Sequence, residues 1–135
     1  MLEIEPNLVI SFDKAHLEQV LTNLIDNAIG AAAEDQLSPT VMIAAYTDNH
    51  DKPIIDIIDQ GSGIPAEQAH RLFEPFFTTK QEGSGLGLYI CRELCRANQT
   101  TISYLPQSRF KEGFSSNCFR MYLPHRSRQS LSLDP

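Results

Sequence analysis

The sequence feature that most constrains this chain is a glycine-rich run, Gly83-Ser84-Gly85-Leu86-Gly87-Leu88, which leads into an amphipathic segment at residues 86–97. Glycine lets the backbone adopt positive φ angles and lie close to a bulky anion. A helix that begins behind such a turn offers N–H groups and the positive end of its dipole. The run therefore suggests a phosphate-binding turn, although similar turns also occur for purely steric reasons.

Length and charge narrow the classes of protein to consider. With 135 residues, the chain fits one soluble domain with a hydrophobic core. A formal net charge of −6 argues against non-specific binding to nucleic acid. The sequence contains no apolar run long enough to span a bilayer and no signal peptide. We therefore expect a domain that contacts neither nucleic acid nor a membrane.

The cysteines are expected to be buried thiols. Cys91 and Cys95 lie one helical turn apart, so as a pair they could hold a metal. No second ligand pair such as CxxC or HxxxH accompanies them, which favours small buried side chains instead. With Cys118 the count is odd and shows no disulfide spacing, which fits a reducing compartment.

The N-terminal part predicts a strand followed by a long helix. Residues 7–12 alternate apolar and polar side chains, and Asp13 is a suitable N-cap for a helix over residues 13–34. Asn27 falls at the margin of the apolar stripe of this helix, and Asn23 lies one turn before it. Amides near a core-facing edge are costly to bury without partners. Three interpretations of Asn23 and Asn27 stay open. They are structural amides with satisfied hydrogen bonds, polar residues on a solvated helix edge, or residues that bind a ligand.

A hairpin is predicted to follow the helix. Residues 40–47 and 54–59 have the pattern of strands, and the polar residues between them favour a turn. Asp59 ends the second strand on the same face as Ile55 and Ile57. A carboxylate there needs a donor that the local sequence does not supply, although aspartate also ends strands as an ordinary turn residue.

A second glycine-rich turn, Gln60-Gly61-Ser62-Gly63, is predicted to lead into a lid. Pro65 is well placed to open a short helix over residues 66–73. Residues 73–84 form a long loop without a clear period. Its phenylalanines are expected to pack against other apolar groups. This favours a loop that closes over a bound ligand as a lid, and it argues against disorder. We place the lid at about residues 66–86, with the aromatic residues Phe73, Phe76 and Phe77.

The C-terminal part predicts a helix, a hairpin and a mobile tail. The amphipathic helix should end near Asn98, which tolerates the left-handed capping conformation. Residues 100–105 and 118–123 predict strands, joined by a polar loop at 106–117. Residues 125–135 contain few apolar side chains that could pack against a core. We therefore divide the chain into a domain, residues 1–124, and a mobile tail, residues 125–135.

Four segments occur in a characteristic order: Asn23-Leu24-Ile25-Asp26-Asn27-Ala28, Asp59-Gln60-Gly61-Ser62-Gly63-Ile64, Phe73-Glu74-Pro75-Phe76-Phe77 and Gly83-Ser84-Gly85-Leu86-Gly87-Leu88. They resemble the N, G1, F and G2 boxes of the catalytic, ATP-binding domain of bacterial sensor histidine kinases. That domain shares its fold with gyrase, Hsp90 and MutL ATPases. The resemblance covers residues 12 to about 124, and residues 73–88 look most like sensors of the nitrogen- and pilus-regulation type.

The resemblance implies an α+β fold and a site for ATP with Mg²⁺. The fold would be a two-layer α/β sandwich (Bergerat fold) with a mixed sheet of about five strands and three main helices on one face. Asn27 would ligate Mg²⁺ through its side-chain oxygen, and Asn23 would support the metal or the triphosphate. Asp59 would accept a hydrogen bond from the adenine 6-amino group; guanine has a carbonyl there, so the site would choose ATP.

Further residues would complete the nucleotide site by the same resemblance. Gly85 and Gly87, with the N–H groups around Leu86 and Leu88, would hold the phosphates. Lys80, at the end of the lid loop, would approach the terminal phosphate as a point charge, or it is a solvated lysine. The other residues implied to contact the nucleotide are Gly61, Gly63, Ile64, Phe73, Thr79, Gly83 and Ser84.

Two departures from the family pattern concern catalysis. Many kinases of this family carry lysine three residues after the second asparagine, where this chain has Gly30. A phosphate contact is therefore missing or is supplied elsewhere, for example by Lys80. The hydrolytic relatives have a glutamate at the position of Asn23 to activate water. Without it water lacks its general base, so hydrolysis should be slow and the γ-phosphate kept for another nucleophile.

The phosphoryl acceptor is expected outside this chain. By the resemblance, a histidine kinase phosphorylates a histidine on a separate dimerisation domain and feeds a response regulator. The histidines here lack the two-helix context of an acceptor, and the segment before Asn7 is too short to hold one; they are His16, His50, His70 and His125. We expect an excised domain with little activity alone, from the cytoplasmic portion of a membrane-bound sensor.

Three other functions stay open at this point. A clamp-type ATPase of the same fold would hydrolyse ATP, which Asn23 argues against. An anti-sigma-type serine kinase would phosphorylate a serine of a separate protein. The third is a non-catalytic interaction module, either one that still binds nucleotide or one with a decayed pocket, although Asn27, Asp59 and the glycines argue against decay.

Overall fold

The computed structural model describes residues 2–34, 40–60, 63–77, 85–111, 114–125 and 130–133. Its helices are α1 (Lys14–Glu34), α2 (Ala66–Ala69) and α3 (Gly87–Ala97). Its strands are β1 (Leu2–Ile4), β2 (Val9–Ser11), β3 (Val41–Thr47), β4 (Pro53–Asp59), β5 (Thr101–Lys111), β6 (Phe114–Tyr122) and β7 (Ser130–Ser132). Within these ranges, no helix has the length and apolarity that crossing a bilayer requires.

The main sheet has five strands in the order β1-β3-β4-β6-β5. β1 runs parallel to β3 and the other neighbours are antiparallel, so the sheet is mixed. β4 lies at its centre, and every residue of β4 is buried. β2 and β7 form a separate two-stranded sheet. The predicted α+β fold with a mixed five-stranded sheet is confirmed.

One face of the main sheet packs against the helices, because side chains alternate between the two faces of each strand. Ile57 of β4 and Met121 of β6 belong to one buried cluster with Leu24 of α1 and Cys91 of α3. The two long helices also pack against each other. Helices and sheet are therefore the two layers of a sandwich with a single core.

The short helix α2 ends earlier than predicted. The sequence predicted a helix over residues 66–73, whereas α2 ends at Ala69. The N–H groups of Arg71 and Leu72 donate to residues three positions earlier, the pattern of turns rather than of an α-helix. Leu72 is nonetheless buried in the core. The segment that follows α2 is thus anchored to the body of the domain.

The predicted loop over residues 106–117 is wrong, because most of it belongs to the hairpin of β5 and β6. Its polar composition resembles a loop, and Pro106 lacks the N–H that a regular ladder needs. The pairing accommodates Pro106 by a shift of register between Leu105 and Ser108. β6 consequently begins at Phe114, well before the predicted start.

Two short strands were not predicted. β1 is only three residues long, and Leu2 on it is exposed, so it shows no clear alternation of burial. β7 lies in the segment predicted to be a mobile tail with little to bury. In the structure it pairs with β2, the N–H of Leu133 donates to the carbonyl of Leu8 (3.0 Å), and Leu133 packs against the core. Residues 130–132 therefore form a strand that the sequence did not predict.

The C-terminus of α3 uses a left-handed residue that is not the expected one. Asn98 has φ −112°, whereas Gln99 has φ +52°. The N–H of Gln99 donates to the carbonyl of Arg96 (3.1 Å), and the N–H of Thr100 donates to that of Cys95 (2.8 Å). These two bonds define a Schellman motif, whose left-handed position is usually glycine. Here glutamine occupies it at a conformational cost.

Replacing Gln99 by glycine is therefore expected to stabilise the domain. Gln99→Gly removes the Cβ that disfavours the left-handed conformation and should raise the free energy of unfolding by about 0.5 to 1 kcal/mol. Urea denaturation measures the effect. Gln99→Ala is the matched control, because it removes the same side chain but keeps the Cβ. Equal stability of the two variants would contradict this account of the helix end.

The face of the sheet that points away from the helices carries a buried ion pair. Asp56 of β4 is only 1% exposed. Its carboxylate accepts hydrogen bonds from Arg120 Nε (2.8 Å), from Arg120 Nη2 (3.1 Å) and from the Tyr46 hydroxyl (2.7 Å). The hydrogen bond to Asp56 raises the pKa of Arg120, so the guanidinium stays charged. These three side chains join β3, β4 and β6 in one register.

Removing one partner of this pair should cost more than removing both. Arg120→Met leaves a buried carboxylate without its cation, and we expect a loss of about 3 kcal/mol in unfolding free energy. The double variant Asp56→Leu with Arg120→Met replaces the pair by apolar side chains and should recover most of that loss. Urea denaturation of both variants tests this. A double variant as unstable as Arg120→Met would refute the expectation.

Candidate nucleotide-binding site

The centre of the candidate site is a buried polar pair at one end of the sheet. Asp59, the last residue of β4, is 7% exposed and lies opposite Asn117 of β6 in the antiparallel register. Asn117 is 2% exposed, and its Nδ2 donates to Asp59 Oδ1 over 3.4 Å. The donor that the local sequence could not supply thus comes from a strand more than fifty residues away in the chain.

A turn with positive φ passes close to this pair. Gly63 has φ +83°, and a Cβ at this position would lie 2.6 Å from Asn117 Oδ1 and 3.1 Å from the Tyr104 hydroxyl oxygen. The next residue, Ile64, donates its N–H to that hydroxyl oxygen (2.9 Å). Only glycine fits between these polar groups. The turn is therefore fixed against the sheet beside Asp59.

Tyr104 belongs to β5 and forms part of the same polar cluster. Burial raises the pKa of Tyr104, the negative charge of Asp59 raises it further, and the N–H of Ile64 acts in the opposite direction. The phenol therefore stays protonated at neutral pH and keeps a hydroxyl donor beside Asp59. The cluster offers both acceptors and donors for a polar planar ligand.

An aromatic contact links this cluster to the start of the predicted lid. The ring centroids of Tyr104 and Phe119 lie 5.0 Å apart. Those of Phe119 and Phe73 lie 6.1 Å apart with an angle of 79° between the ring planes, which is an edge-to-face contact. Phe77 packs against the core, with the Arg71 guanidinium 4.7 Å from its ring centre. The expected packing against apolar residues is therefore present for Phe73 and Phe77. It does not exist for Phe76, which is 75% exposed.

The glycine turn before α3 is anchored to Phe76 through the backbone. The N–H of Phe76 donates to the carbonyl of Gly85 (2.9 Å), and Phe76 itself has φ +67°. Gly85 has φ +75°, and a Cβ there would come within 2.4 to 2.7 Å of the Phe76 backbone. Gly85 is therefore required by close packing of two backbones as well as by its own conformation.

The first turn of α3 has the features of an anion-binding helix start. Leu86 occupies the N-cap position and makes no side-chain capping bond, and the first turn carries no acidic residue. Among the described residues, a Cβ placed on Gly87 would meet no atom within 4 Å, so these residues leave the space beside this backbone open. Leu88 packs against the core and fixes the direction of the helix. Phosphate oxygens suit such a position.

The two asparagines of α1 lie on the side of that helix that faces α3. Asn23 Nδ2 donates to the carbonyl of Gly87 (3.3 Å), and Asn23 Oδ1 accepts from Gln19 Nε2 (2.8 Å). Asn27 follows one turn later and is half-buried, between the buried Leu24 and Ala28. Asn23 therefore braces α1 against the start of α3. An amide oxygen at Asn27 has the chemistry that Mg²⁺ requires.

Five predicted site residues lie outside the described residues: Gly61, Thr79, Lys80, Gly83 and Ser84. Their roles stay predictions. The structure brings the described candidates into two groups. One is the cluster around Asp59, Gly63, Ile64 and Phe73. The other contains Asn23 and the start of α3, with Gly85, Leu86, Gly87 and Leu88, and Asn27 lies one helical turn after Asn23 on α1.

The cysteines form no part of this site. All three are buried and free. Burial raises the pKa of Cys91 to about 11 and that of Cys95 to about 12, so both stay protonated thiols. In the part of the chain that the structure describes, no cluster of three or more His, Cys, Asp or Glu side chains could hold a metal ion. The cysteines are packing residues.

Tyr104 and Asn117 are site residues that the sequence analysis missed. Both lie on the helix-facing side of the sheet, Tyr104 opposite Phe119 and Asn117 opposite Asp59. A sequence signal for Asn117 exists, because residues two positions apart on a strand share a face and Phe119 faces the core. Asn117 falls in the polar residues 106–117, whose composition predicts a loop, whereas Tyr104 lies in the predicted strand 100–105 and only its non-local partner was missing.

Together the fold and the two groups of residues define an α+β nucleotide-binding domain. A family model described as histidine kinase-, DNA gyrase B- and HSP90-like ATPase matches residues 12–127. The chain belongs to this family, and within it to the catalytic domains of bacterial sensor histidine kinases.

Individual relatives agree with this assignment. The chain is 40% identical over 119 residues to the sensor protein kinase PilS of Pseudomonas aeruginosa, covering 87% of this chain and 22% of that protein. It is 39% identical over 94 residues to the nitrogen regulation protein NtrY of Azorhizobium caulinodans, covering 65% of this chain and 12% of NtrY. The chain thus spans a minor part of these relatives.

A solved structure gives the same result. The mycobacterial sensor histidine kinase MprB superposes with a TM-score of 0.73 at 26% identity, covering 93% of this chain and 81% of that chain. The resemblance to sensors of nitrogen and pilus regulation, inferred from residues 73–88, agrees with the names of the sequence relatives.

The two glycines flanking Leu86 should respond differently to alanine. Gly85→Ala forces a Cβ into the Phe76 backbone at a positive φ and should lower the unfolding free energy by about 2 kcal/mol or more. Gly87→Ala adds a Cβ in open space at a helical residue, so its stability should stay within about 0.5 kcal/mol of the unsubstituted domain. Thermal unfolding compares the two. Equal losses would contradict the described packing.

Proposed function

We propose that this domain binds Mg·ATP and that, in its parent sensor, the γ-phosphoryl group passes to a histidine of a separate dimerisation domain. The observation that carries the proposal is the buried Asp59–Asn117 pair beside Gly63, in the same domain as an open helix start at Gly87. A carboxylate in a narrow buried cluster suits the amino group of adenine, and the helix start suits the phosphates.

Adenine would lie against the turn at Gly63 and Ile64. There its 6-amino group would donate to Asp59, and the nearby rings of Tyr104 and Phe73 would form the apolar border. The absence of a Cβ at Gly63 gives the base access to the backbone. This assignment gives the site its preference for adenine over guanine, whose 6-carbonyl would face a carboxylate.

The triphosphate would extend to the start of α3, and Mg²⁺ would bind Asn27. The metal would neutralise phosphate charge, and Asn27 would hold it through its amide oxygen. Lys80 and the glycines at positions 83, 85 and 87 would supply further phosphate contacts. The missing lysine at Gly30 makes Lys80 the natural source of positive charge for the terminal phosphate.

The chemistry proposed is phosphoryl transfer rather than hydrolysis. Asn23 stands where hydrolytic relatives carry a catalytic glutamate, and an amide does not accept a proton from water at neutral pH. Both ends of this amide are engaged, by Gln19 and by the carbonyl of Gly87. Asn23 would therefore shape the site, and the domain would protect the γ-phosphoryl group until an acceptor histidine arrives.

The names of the relatives support the proposed biological setting. PilS is called a sensor protein kinase and NtrY a nitrogen regulation protein. We place this domain in the cytoplasmic portion of a membrane-bound sensor, whose dimerisation domain carries the acceptor histidine and whose output goes to a response regulator. The net charge of −6 supports a domain without nucleic-acid contacts.

Calorimetric titration with nucleotides tests the proposal. The isolated chain should bind Mg·ATP, bind Mg·GTP at least about tenfold more weakly, and release almost no phosphate from ATP. Asp59→Asn should weaken ATP binding by about tenfold or more, because an amide NH₂ can face the adenine amino group. Asn27→Ala should weaken binding with Mg²⁺ present but have little effect in EDTA.

Asp48→Asn provides the matched control. Asp48 lies in the turn between β3 and β4, at the opposite end of β4 from Asp59, and accepts bonds from the N–H groups of His50 and Lys52. An asparagine oxygen can keep these bonds, so ATP binding should not change. No heat with ATP, equal affinity for GTP, or normal binding by both site variants would overturn the proposed function. Rapid ATP hydrolysis would favour a clamp-type ATPase.

A further inference from the structure

Asn117 is one of the most deeply buried polar side chains among the described residues, and it lies between two parts of the candidate base site. One end of its amide faces Asp59 of β4, and the other faces Gly63 of the following turn. A buried amide is costly unless its hydrogen bonds are satisfied, so its presence in a strand of mostly apolar inner-face residues needs a reason.

The orientation of this amide follows from the chemistry of its neighbours. A carboxylate only accepts hydrogen bonds, so the NH₂ group must point to Asp59, where Nδ2 lies 3.4 Å from Oδ1. The amide oxygen then points to Gly63, 2.6 Å from the position of a Cβ there. Asn117 therefore contacts both the carboxylate and the glycine turn with defined atoms.

The contact with Asp59 is long, which bears on how the carboxylate is held. The bond from Asn117 Nδ2 to Asp59 Oδ1 restricts the rotation of this carboxylate. Asp56 is held by other groups on the opposite face of the sheet, where its oxygens accept bonds from Arg120 and Tyr46.

Tyr104 contacts the same turn as Asn117. Its hydroxyl oxygen accepts the N–H of Ile64 (2.9 Å) and lies 3.1 Å from the point that a Cβ on Gly63 would occupy. Asn117 and Tyr104 thus fix the distance between the turn and Asp59. A shorter side chain at position 117 would free the carboxylate to rotate and the turn to move.

We infer that Asn117 is a positioning residue for nucleobase selectivity, whose amide holds the Asp59 carboxylate and the Gly63 turn in register for a planar base carrying an exocyclic amino group. This inference rests on the proposed function. Asn117 acts through Asp59, so its effect should appear as selectivity for the 6-amino group and not as general nucleotide affinity. The ligand class is the 6-aminopurine nucleotides.

The experiment compares ATP with purine riboside triphosphate, which lacks the 6-amino group. The unsubstituted domain should prefer ATP by about tenfold in calorimetric titration. Asn117→Leu keeps a similar volume but removes the amide, and should reduce this preference to about twofold while changing the affinity for the analogue little. Asp59→Asn should abolish the preference. The double variant should match Asp59→Asn, because Asn117 works through that carboxylate.

A second variant keeps the test decisive if Asn117→Leu does not fold. Asn117→Asp has the same shape and places two carboxylates side by side, so it cannot donate to Asp59 when ionised. It should lose the preference for ATP at pH 8 and regain part of it at lower pH, where the two carboxylates share a proton. A merely structural role would change thermal stability without this pH-dependent selectivity. Asp48→Asn again serves as the control.

The outcomes separate the two proposals. Loss of ATP preference in Asp59→Asn but not in folded Asn117→Leu or Asn117→Asp would overturn the role of Asn117 and leave the proposed function intact. An unchanged preference in Asp59→Asn would overturn the proposed adenine contact itself. Equal loss of affinity for ATP and the analogue in the Asn117 variants would also refute positioning, because it would show a general collapse of the pocket.

Discussion

The candidate site depends on one buried interaction, the hydrogen bond between Asp59 and Asn117 across β4 and β6. A carboxylate in the core-facing layer is tolerated because the antiparallel register supplies a donor opposite it. The same register places Asp56 opposite Arg120 on the other face of the sheet. Because a slip of one residue would move every side chain to the opposite face, both pairs would break together. Polar pairs on the two faces therefore specify a single alignment of the central strands.

The proposed phosphate-binding side of the site depends on backbone packing instead of buried charge. Gly85 lies directly against the Phe76 backbone, and Asn23 reaches from α1 to the carbonyl of Gly87. The start of α3 is thereby held from two directions, by the segment after α2 and by α1. Fixed backbone dipoles bind an anion better than mobile ones, because their orientation needs no reorganisation. The exposed ring of Phe76 is a consequence of this packing, since its positive φ directs the side chain away from the core.

Local patterns predicted α1, the β3–β4 hairpin, α3 and the order of the four segments, and with the family resemblance they gave the fold. The features that local patterns missed depend on contacts between residues far apart in the sequence. β1 and β7 are short strands that exist only through their partners β3 and β2. The extension of the β5–β6 hairpin beyond Leu105 was concealed by Pro106 and a polar composition, and with it Asn117. The end of α3 was predicted within one residue, but Gln99 and not Asn98 takes the left-handed conformation, because Gln99 occupies the left-handed position of the Schellman motif.

The position of Asn23 connects the architecture to the choice between two chemistries of one fold. A glutamate there would offer a base for water at the edge of α1. The amide instead donates to a backbone carbonyl at the start of α3, a bond that a carboxylate could not make, because both groups are acceptors. An amide at this position therefore adds a hydrogen bond between α1 and α3, the two helices that we propose to hold the phosphates. In the function we propose, the change that removes hydrolysis also stiffens the site, which is what a domain that keeps its phosphoryl group for a partner requires.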